Sequence, residues 1–318
     1  MRERPPPKTG RRAAGPTPSG SSPPDSNDSA RNSAVQLQQA GKLQEAERIY
    51  RQALAADPDH AAANYYLGLI EHENGNFDAS ARHLGISLAA RPDFAEGYYN
   101  LGVTLMAAGK LAEAEKSFRR ALSLTPGEVQ TLISLGNLLV EQGRCHEALP
   151  GLREAAAIRP DHAEAHNSLG NALREVGHFD DAVSCFQKAL AARPDFADAH
   201  YNLGLTLRAL DCDEEAADSF RNTLKIRPAD PEAMINLGDA LRRLGRRQEA
   251  LATYEKLLVM DADFAAAHMS RGNVLRDLAR HDEALESYGR ALEIDPQVTA
   301  VYNCRGGVLR VLNRYKEA

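Results

Sequence analysis

A proline recurs every 34 residues along most of this chain, and that interval limits the possible folds more than any other feature of the sequence. The series runs Pro58, Pro92, Pro126, Pro160, Pro194 and Pro228, then Ala262 and Pro296. With this residue set at position 32 of a 34-residue unit, eight full repeats cover residues 27–298 and a partial ninth covers 299–318. The chain therefore builds one structural unit many times and buries its apolar surface between neighbouring copies.

Within each repeat, the apolar positions have the spacing of two helices. Positions 4, 7, 8 and 11 place an apolar stripe on a first helix, and positions 20, 24, 27 and 28 place another on a second helix. Position 8 is glycine in eight repeats, as expected where two helices approach closely: Gly68, Gly102, Gly136, Gly170, Gly204, Gly238, Gly272 and Gly306. Position 15 is glycine in most repeats, and glycine tolerates the left-handed conformation that ends a helix. Ala279 is the one residue at this position that fits poorly. The sequence thus predicts an all-α fold of antiparallel helix pairs.

Composition and charge exclude several classes of protein. The 318 residues contain no Trp and carry a net charge of -6, whereas nucleic-acid binding needs a basic face. No apolar run reaches the roughly 18 residues that a membrane-spanning helix requires. The four cysteines form no CxxC pair, and the N-terminus lacks the apolar core of a signal peptide. We therefore predict a cytoplasmic protein that binds neither nucleic acid nor membrane.

Residues 1–29 differ in composition from the rest of the chain. They hold seven of the sixteen prolines, together with Gly, Ser, Thr and Arg. They lack the apolar residues that could offset the entropy of ordering the segment. We predict a disordered tail over residues 1–29, followed by the helical array over residues 30–318.

The repeats resemble the tetratricopeptide repeat family. The resemblance rests on small residues at positions 8, 20 and 27, proline at 32, and a bulky residue at 24: Tyr50, Leu84, Phe118, Leu152, Phe186, Phe220, Tyr254 and Tyr288. It covers residues 27–318 and implies a right-handed superhelical solenoid. In this family the first helices line a concave groove that binds a protein or an extended peptide, and the resemblance implies the same use here.

Asparagines follow the predicted groove. Position 6 is asparagine in several repeats, and where serine replaces it, an asparagine occurs one turn later at position 9. The predicted groove asparagines are Asn100, Asn137, Asn171, Asn202, Asn236 and Asn273. Because an amide both donates and accepts hydrogen bonds, these side chains suit a peptide backbone. Bonding to neighbouring helices or to water is the alternative.

An asparagine series of this type, with the segments GYYNLG (97–102) and AHYNLG (199–204), is similar to the repeats of O-GlcNAc transferases and their bacterial relatives. This resemblance implies an alternative function, the substrate-recognition arm of a larger glycosyltransferase whose catalytic domain is missing from the chain. The sequence stops as the second helix of the ninth repeat begins, and we expect a fragment on that ground. An uncapped end also allows two copies to associate.

Two further rows face the predicted groove. Position 12 is arginine in five successive repeats: Arg174, Arg208, Arg242, Arg276 and Arg310. Guanidinium groups favour a partner that carries carboxylates or phosphates, unless Glu175, Asp239 or Asp277 neutralises the row. Position 5 carries aromatic residues that either anchor a partner or cover the adjacent helix: Tyr65, Tyr99 and Tyr201. The predicted partner is a protein or an extended peptide, and an acidic one if the arginine row is not neutralised.

No combination of residues predicts catalysis. His162 and His166 fall at packing positions of the repeat, and no HExxH, GxSxG, GxxxxGK[ST] or GxGxxG motif is present. Cys145 beside His146 lacks an acidic partner. We therefore expect no enzymatic activity, no metal site and no cofactor in this chain.

Overall fold

The computed structural model describes residues 43–314, and within that range it contains sixteen α-helices and no strand. The helices are α1 (Leu43–Ala56), α2 (Ala61–Glu73), α3 (Phe77–Ala90), α4 (Ala95–Ala107), α5 (Leu111–Leu124), α6 (Val129–Glu141), α7 (Cys145–Ile158), α8 (Ala163–Glu175), α9 (Phe179–Ala192), α10 (Ala197–Ala209), α11 (Asp213–Ile226), α12 (Pro231–Arg243), α13 (Arg247–Met260), α14 (Ala265–Asp277), α15 (His281–Ile294) and α16 (Thr299–Val311). The all-α prediction is confirmed. The predicted tail over residues 1–29 lies outside the described residues.

The helix boundaries follow the repeat frame. Every first helix, from α2 to α16, begins at position 1 and has 13 residues. Every second helix, from α1 to α15, begins at position 17 and has 14 residues. The loops between them are three or four residues long, and loops this short join antiparallel neighbours.

The chain divides into two compact units at Ile158, and each is a stack of helix pairs. Unit 1 contains α1 to α7, and unit 2 contains α8 to α16. Within each unit, every first helix contacts the next first helix, whereas no two second helices in the described range contact each other to a comparable extent. The first helices therefore form the inner layer of each unit, and the second helices form its outer layer.

In each complete helix pair of the described range, a glycine of the first helix packs against a large side chain of the second helix, which is a ring in five pairs and leucine in two. Phe220 is fully buried, and a Cβ atom added at Gly204 would lie 2.7 Å from its ring. The same contact recurs between Gly170 and Phe186. Because contacts this short exclude any side chain at position 8, the glycines allow the two helices of a repeat to pack directly against each other.

Position 15 ends each first helix in a left-handed conformation. The φ angle is +60° at Ala279, where most other repeats have glycine, and this conformation costs a residue with a Cβ atom about 1 kcal/mol. We expect Ala279→Gly to raise the free energy of unfolding by about 0.5 to 1 kcal/mol, measured by equilibrium urea unfolding. Ala252→Gly is the control, because Ala252 is an exposed residue inside α13, and glycine there should lower the same quantity by about 1 kcal/mol. A loss of stability in Ala279→Gly would contradict the prediction.

Candidate functional site

The candidate site is the inner face of each unit, which we define as the side chains at positions 2, 5, 6, 9, 12 and 13 of the first helices. These positions lie on one side of each helix because residues three or four apart share a face. All of the asparagines, arginines and tyrosines predicted for the groove occupy these positions. Their contacts divide them into residues that join neighbouring repeats and residues that retain free polar groups.

On the inner face, a tyrosine of one repeat hydrogen-bonds to a glutamate and an asparagine of the next repeat, and we call this arrangement the tyrosine clasp. In unit 1, the Tyr65 hydroxyl donates to Glu96 Oε1 at 3.1 Å and accepts from Asn100 Nδ2 at 2.7 Å. Burial raises the pKa of Tyr65 well above its usual value, and the negative charge of Glu96 raises it further. Tyr65 is 4% exposed, so its ring covers the adjacent helix rather than projecting into solvent.

The same clasp recurs in unit 2. The Tyr201 hydroxyl donates to Glu232 Oε2 at 3.2 Å and accepts from Asn236 Nδ2 at 3.1 Å. Burial, followed by the charge of Glu232, again raises the pKa of the phenol. The third predicted tyrosine, Tyr99, is half-buried, and burial raises its pKa although hydrogen bonds with Ser134 and Gln130 oppose the shift.

The asparagines differ in how much of each amide is used internally. Asn202 Nδ2 donates to Asn167 Oδ1 at 3.2 Å, and Asn273 Oδ1 accepts from the Tyr288 hydroxyl at 2.9 Å. Asn137 is exposed. Asn171 is half-buried, and its Oδ1 has no partner among the described residues.

Asn100 is 2% exposed, and its Oδ1 also has no partner within the described range. Four of the six amides therefore help to join neighbouring helices: Asn100, Asn202, Asn236 and Asn273.

The arginine row lies along the inner face of unit 2 and is only partly neutralised. Arg174 Nη2 lies 3.0 Å from Glu175, whereas Arg242 and Arg276 share the carboxylate of Asp277 at 3.3 and 3.1 Å. These three arginine side chains are 21% to 37% exposed.

The two remaining arginines have no carboxylate partner within residues 43–314. Arg208 Nη1 donates to Asn236 Oδ1, and Arg310 is exposed. Asp239, a predicted neutralising residue, instead accepts from the Tyr254 hydroxyl at 2.7 Å.

Sequence reasoning did not identify the arginines at position 31, which neutralise acidic residues at the edge of the inner face. Arg193 Nη1 lies 2.6 Å from Glu164, and its guanidinium stacks over the Phe196 ring at 3.7 Å. Arg227 Nη1 lies 2.7 Å from Asp198. The recurrence of arginine at position 31 was the available signal. These pairs neutralise two position-2 acids, whereas Glu232 at position 2 of the next repeat accepts a hydrogen bond from Tyr201.

Two other kinds of feature are absent from residues 43–314. Histidine, cysteine, aspartate and glutamate side chains in this range do not form a group of three that could hold a metal ion. None of the helices in the same range is both long and apolar enough to cross a membrane.

Several solved structures are similar to this chain. A chain of the APC/C hetero-tetramer Cut9-Hcn1 matches with a TM-score of 0.61 at 18% identity, over 83% of this chain and 52% of that one. MamA 41-end from Desulfovibrio magneticus RS-1 matches with a TM-score of 0.50 at 22% identity, over 54% of this chain and 96% of that one. YrrB, a TPR protein with an unusual peptide-binding site, gives a TM-score of 0.47 at 23% identity, over 56% of this chain and 92% of that one.

Family profiles give the assignment directly, although no curated protein matches the sequence. One profile described as tetratricopeptide repeat matches residues 33–83, 73–129, 168–231 and 235–299, and a second matches residues 127–195. Together they cover most of the helical array, with the same repeating helix pairs that the structure shows. The chain belongs to the tetratricopeptide repeat family.

Proposed function

We propose that this chain is a protein-binding scaffold that holds an extended, acidic segment of a partner on the inner face of unit 2. The observation that carries the proposal is the row of five arginines at position 12 of successive first helices. Among the described residues their carboxylate partners are Glu175 and Asp277, which leaves an excess of positive charge along the row. Guanidinium groups bind carboxylates through two parallel hydrogen bonds, so this excess favours an acidic partner.

The geometry of the inner layer favours an extended segment. The row crosses the first helices one after another, and packed helices lie about 8 to 10 Å apart. An extended chain rises about 3.3 Å per residue, so it advances about three residues for each helix that it crosses. A segment of about twelve residues therefore spans about four repeats of unit 2. The proposed role is binding, and no catalytic step is assigned to the chain.

Peptide binding by the full chain tests this proposal. The probe is a fluorescein-labelled peptide of about twelve residues in which glutamate alternates with serine, long enough to span about four first helices. The control peptide has glutamine at every glutamate position. We expect the glutamate peptide to bind at least about tenfold more tightly in fluorescence anisotropy, with the preference weakening as salt is raised from about 0.05 M to about 0.5 M. Equal affinities for the two peptides would refute the acidic-partner proposal.

A second candidate is the substrate-recognition arm of a larger O-GlcNAc-transferase-like glycosyltransferase. The observation that favours it is the set of amides on the inner face, of which Asn137 is exposed and Asn171 keeps an acceptor without a partner among the described residues. Such amides can hold a peptide backbone independently of its side chains. The coding sequence after Ala318 tests the candidate. A nucleotide-sugar-binding domain in frame would support it, and an immediate stop codon would contradict it.

A further inference from the structure

We infer that Arg208 is the main carboxylate anchor of the inner face, and that Asn236 is the positioning residue that holds Arg208 in place. This inference rests on the proposed function and deepens it, because it names the subsite that binds an aspartate or glutamate side chain of the partner. Three independent features of the described residues support it: the charge balance of the arginine row, the fixed orientation of the Asn236 amide, and a comparison between the two units.

The charge balance distinguishes Arg208 from Arg174, Arg242 and Arg276, and its half-buried, hydrogen-bonded side chain distinguishes it from Arg310, which is exposed. A ligand carboxylate that binds Arg174, Arg242 or Arg276 competes with Glu175 or Asp277, which already lie 3.0 to 3.3 Å from those guanidinium groups. Arg208 has no such competitor in residues 43–314. Its hydrogen-bond acceptor is a neutral amide oxygen, which orients the guanidinium without cancelling its charge.

The orientation of the Asn236 amide is fixed by its other contacts. Its Nδ2 donates to the Tyr201 hydroxyl at 3.1 Å and to the Glu232 carbonyl oxygen at 2.8 Å. Because both donors of the amide are used on that side, its Oδ1 faces Arg208 and accepts from Nη1. One of the five N–H groups of Arg208 is thereby used, and the others can form the paired bonds that a carboxylate requires.

Unit 1 contains the same clasp without the arginine. Tyr65, Glu96 and Asn100 occupy the same repeat positions as Tyr201, Glu232 and Asn236, and they make the same hydrogen bonds. Position 12 there is His72, which bonds through Nδ1 to Thr104 Oγ1 at 3.0 Å. Asn100 Oδ1, the atom equivalent to the acceptor of Arg208, is left buried without a partner among the described residues.

The comparison shows what the arginine adds. The clasp forms in unit 1 without an arginine at position 12, so Arg208 is not required to join two repeats. The Arg208 guanidinium uses one N–H group on Asn236, and its other N–H groups can form two parallel hydrogen bonds with a planar, singly charged carboxylate. The structure therefore assigns this subsite to an aspartate or glutamate side chain rather than to a phosphate, whose double charge would favour two uncompensated arginines.

Single substitutions test the anchor with the glutamate peptide described above. We expect Arg208→Gln to lower the affinity of the full chain by about tenfold or more, because the charge-assisted hydrogen bonds to the ligand carboxylate are lost. Arg174→Gln is the comparison within the row, because it removes the same charge from an arginine that has an internal carboxylate, and we expect a smaller loss, of about threefold. Equal losses in the two variants would overturn the anchor while leaving the proposed function intact. Absence of binding by the unmodified chain would refute the proposed function itself.

A double-mutant cycle tests the positioning role. Asn236→Leu keeps a side chain of similar size and removes the amide, and we expect it to weaken peptide binding by about threefold to tenfold. If Asn236 acts through Arg208, adding Asn236→Leu to Arg208→Gln produces no further loss. Independent, additive losses would overturn the positioning role. A phosphoserine peptide that binds more tightly than the glutamate peptide would overturn the carboxylate assignment.

Discussion

Reversing the charges of Arg208 and Arg242 together is expected to abolish binding of the glutamate peptide. The double variant Arg208→Glu, Arg242→Glu places two carboxylates where the proposed partner brings its own, and each juxtaposition of like charges costs several kcal/mol. Since about 1.4 kcal/mol corresponds to a factor of ten, we expect the affinity to fall by more than about a hundredfold. Fluorescence anisotropy at low salt measures the change, and far-UV circular dichroism verifies that the helices remain.

The matched control carries the same charge change on the outer layer. Arg247 and Arg290 lie on the second helices α13 and α15, away from the inner face, and both are exposed. Because long-range effects of net charge are equal in the two double variants, Arg247→Glu with Arg290→Glu should retain most of the binding. Unchanged affinity in the inner-face variant, or equal losses in both, would contradict the proposal that the arginine row binds the partner.

Removing the ring of Phe220 is expected to cause the largest loss of stability. Phe220 is fully buried against Gly204, and truncation of a buried phenylalanine to alanine costs about 3 to 5 kcal/mol. We expect a loss of that size in Phe220→Ala by equilibrium urea unfolding. Val259→Ala on the outer layer is the control, because Val259 is 88% exposed and its truncation should change stability by less than about 0.5 kcal/mol. A loss below about 1 kcal/mol in Phe220→Ala would show that the ring does not hold the helix pair together.

The partner glycine provides a second measurement of the same contact. In Gly204→Ala the added Cβ would meet the Phe220 ring at 2.7 Å, and overpacking of this kind costs about 1 to 3 kcal/mol. The cost should shrink in the Phe220→Ala background, because the ring that opposes the new methyl group has been removed. Additive losses in the double variant would show that the cost of the added methyl group does not come from its contact with the Phe220 ring.

The helix pairs could be predicted from the sequence because their packing demands particular residue types at fixed intervals. A glycine such as Gly204 is needed where a ring such as Phe220 packs against a first helix. A proline such as Pro228 follows the end of the second helix. The first helices begin at position 1 and the second at position 17 throughout the described range, so each contains the apolar stripe that the spacing predicts. Even Ala279, the poor fit at position 15, adopts the left-handed conformation that the frame requires. Close contacts within a repeat thus leave a pattern that can be read from one sequence.

The candidate site could be predicted only as a set of positions. Sequence spacing placed Tyr201, Asn236 and Arg208 on one face, but it gave no means of deciding which of them bond to each other. Those bonds join residues 28 to 35 places apart, across neighbouring repeats. Their formation depends on the distance between helices and on the rotamer that each long side chain adopts. Neither quantity is encoded in a repeat pattern, so the burial of Tyr65 and the clasp it makes came from the structure alone.

The sequence by itself therefore determined the repeat, its two helices and the rows of polar residues on the first helices, because local periodicity and close packing restrict residue type. Only the tertiary structure decided how the charges are shared. It paired Arg242 and Arg276 with one carboxylate, Asp277, and left Arg208 with the neutral amide of Asn236. The five arginines look equivalent in the sequence. They become unequal because the partner of each is contributed by its three-dimensional neighbours. A carboxylate offsets the positive charge of the arginine that it contacts, whereas an amide leaves that charge uncompensated.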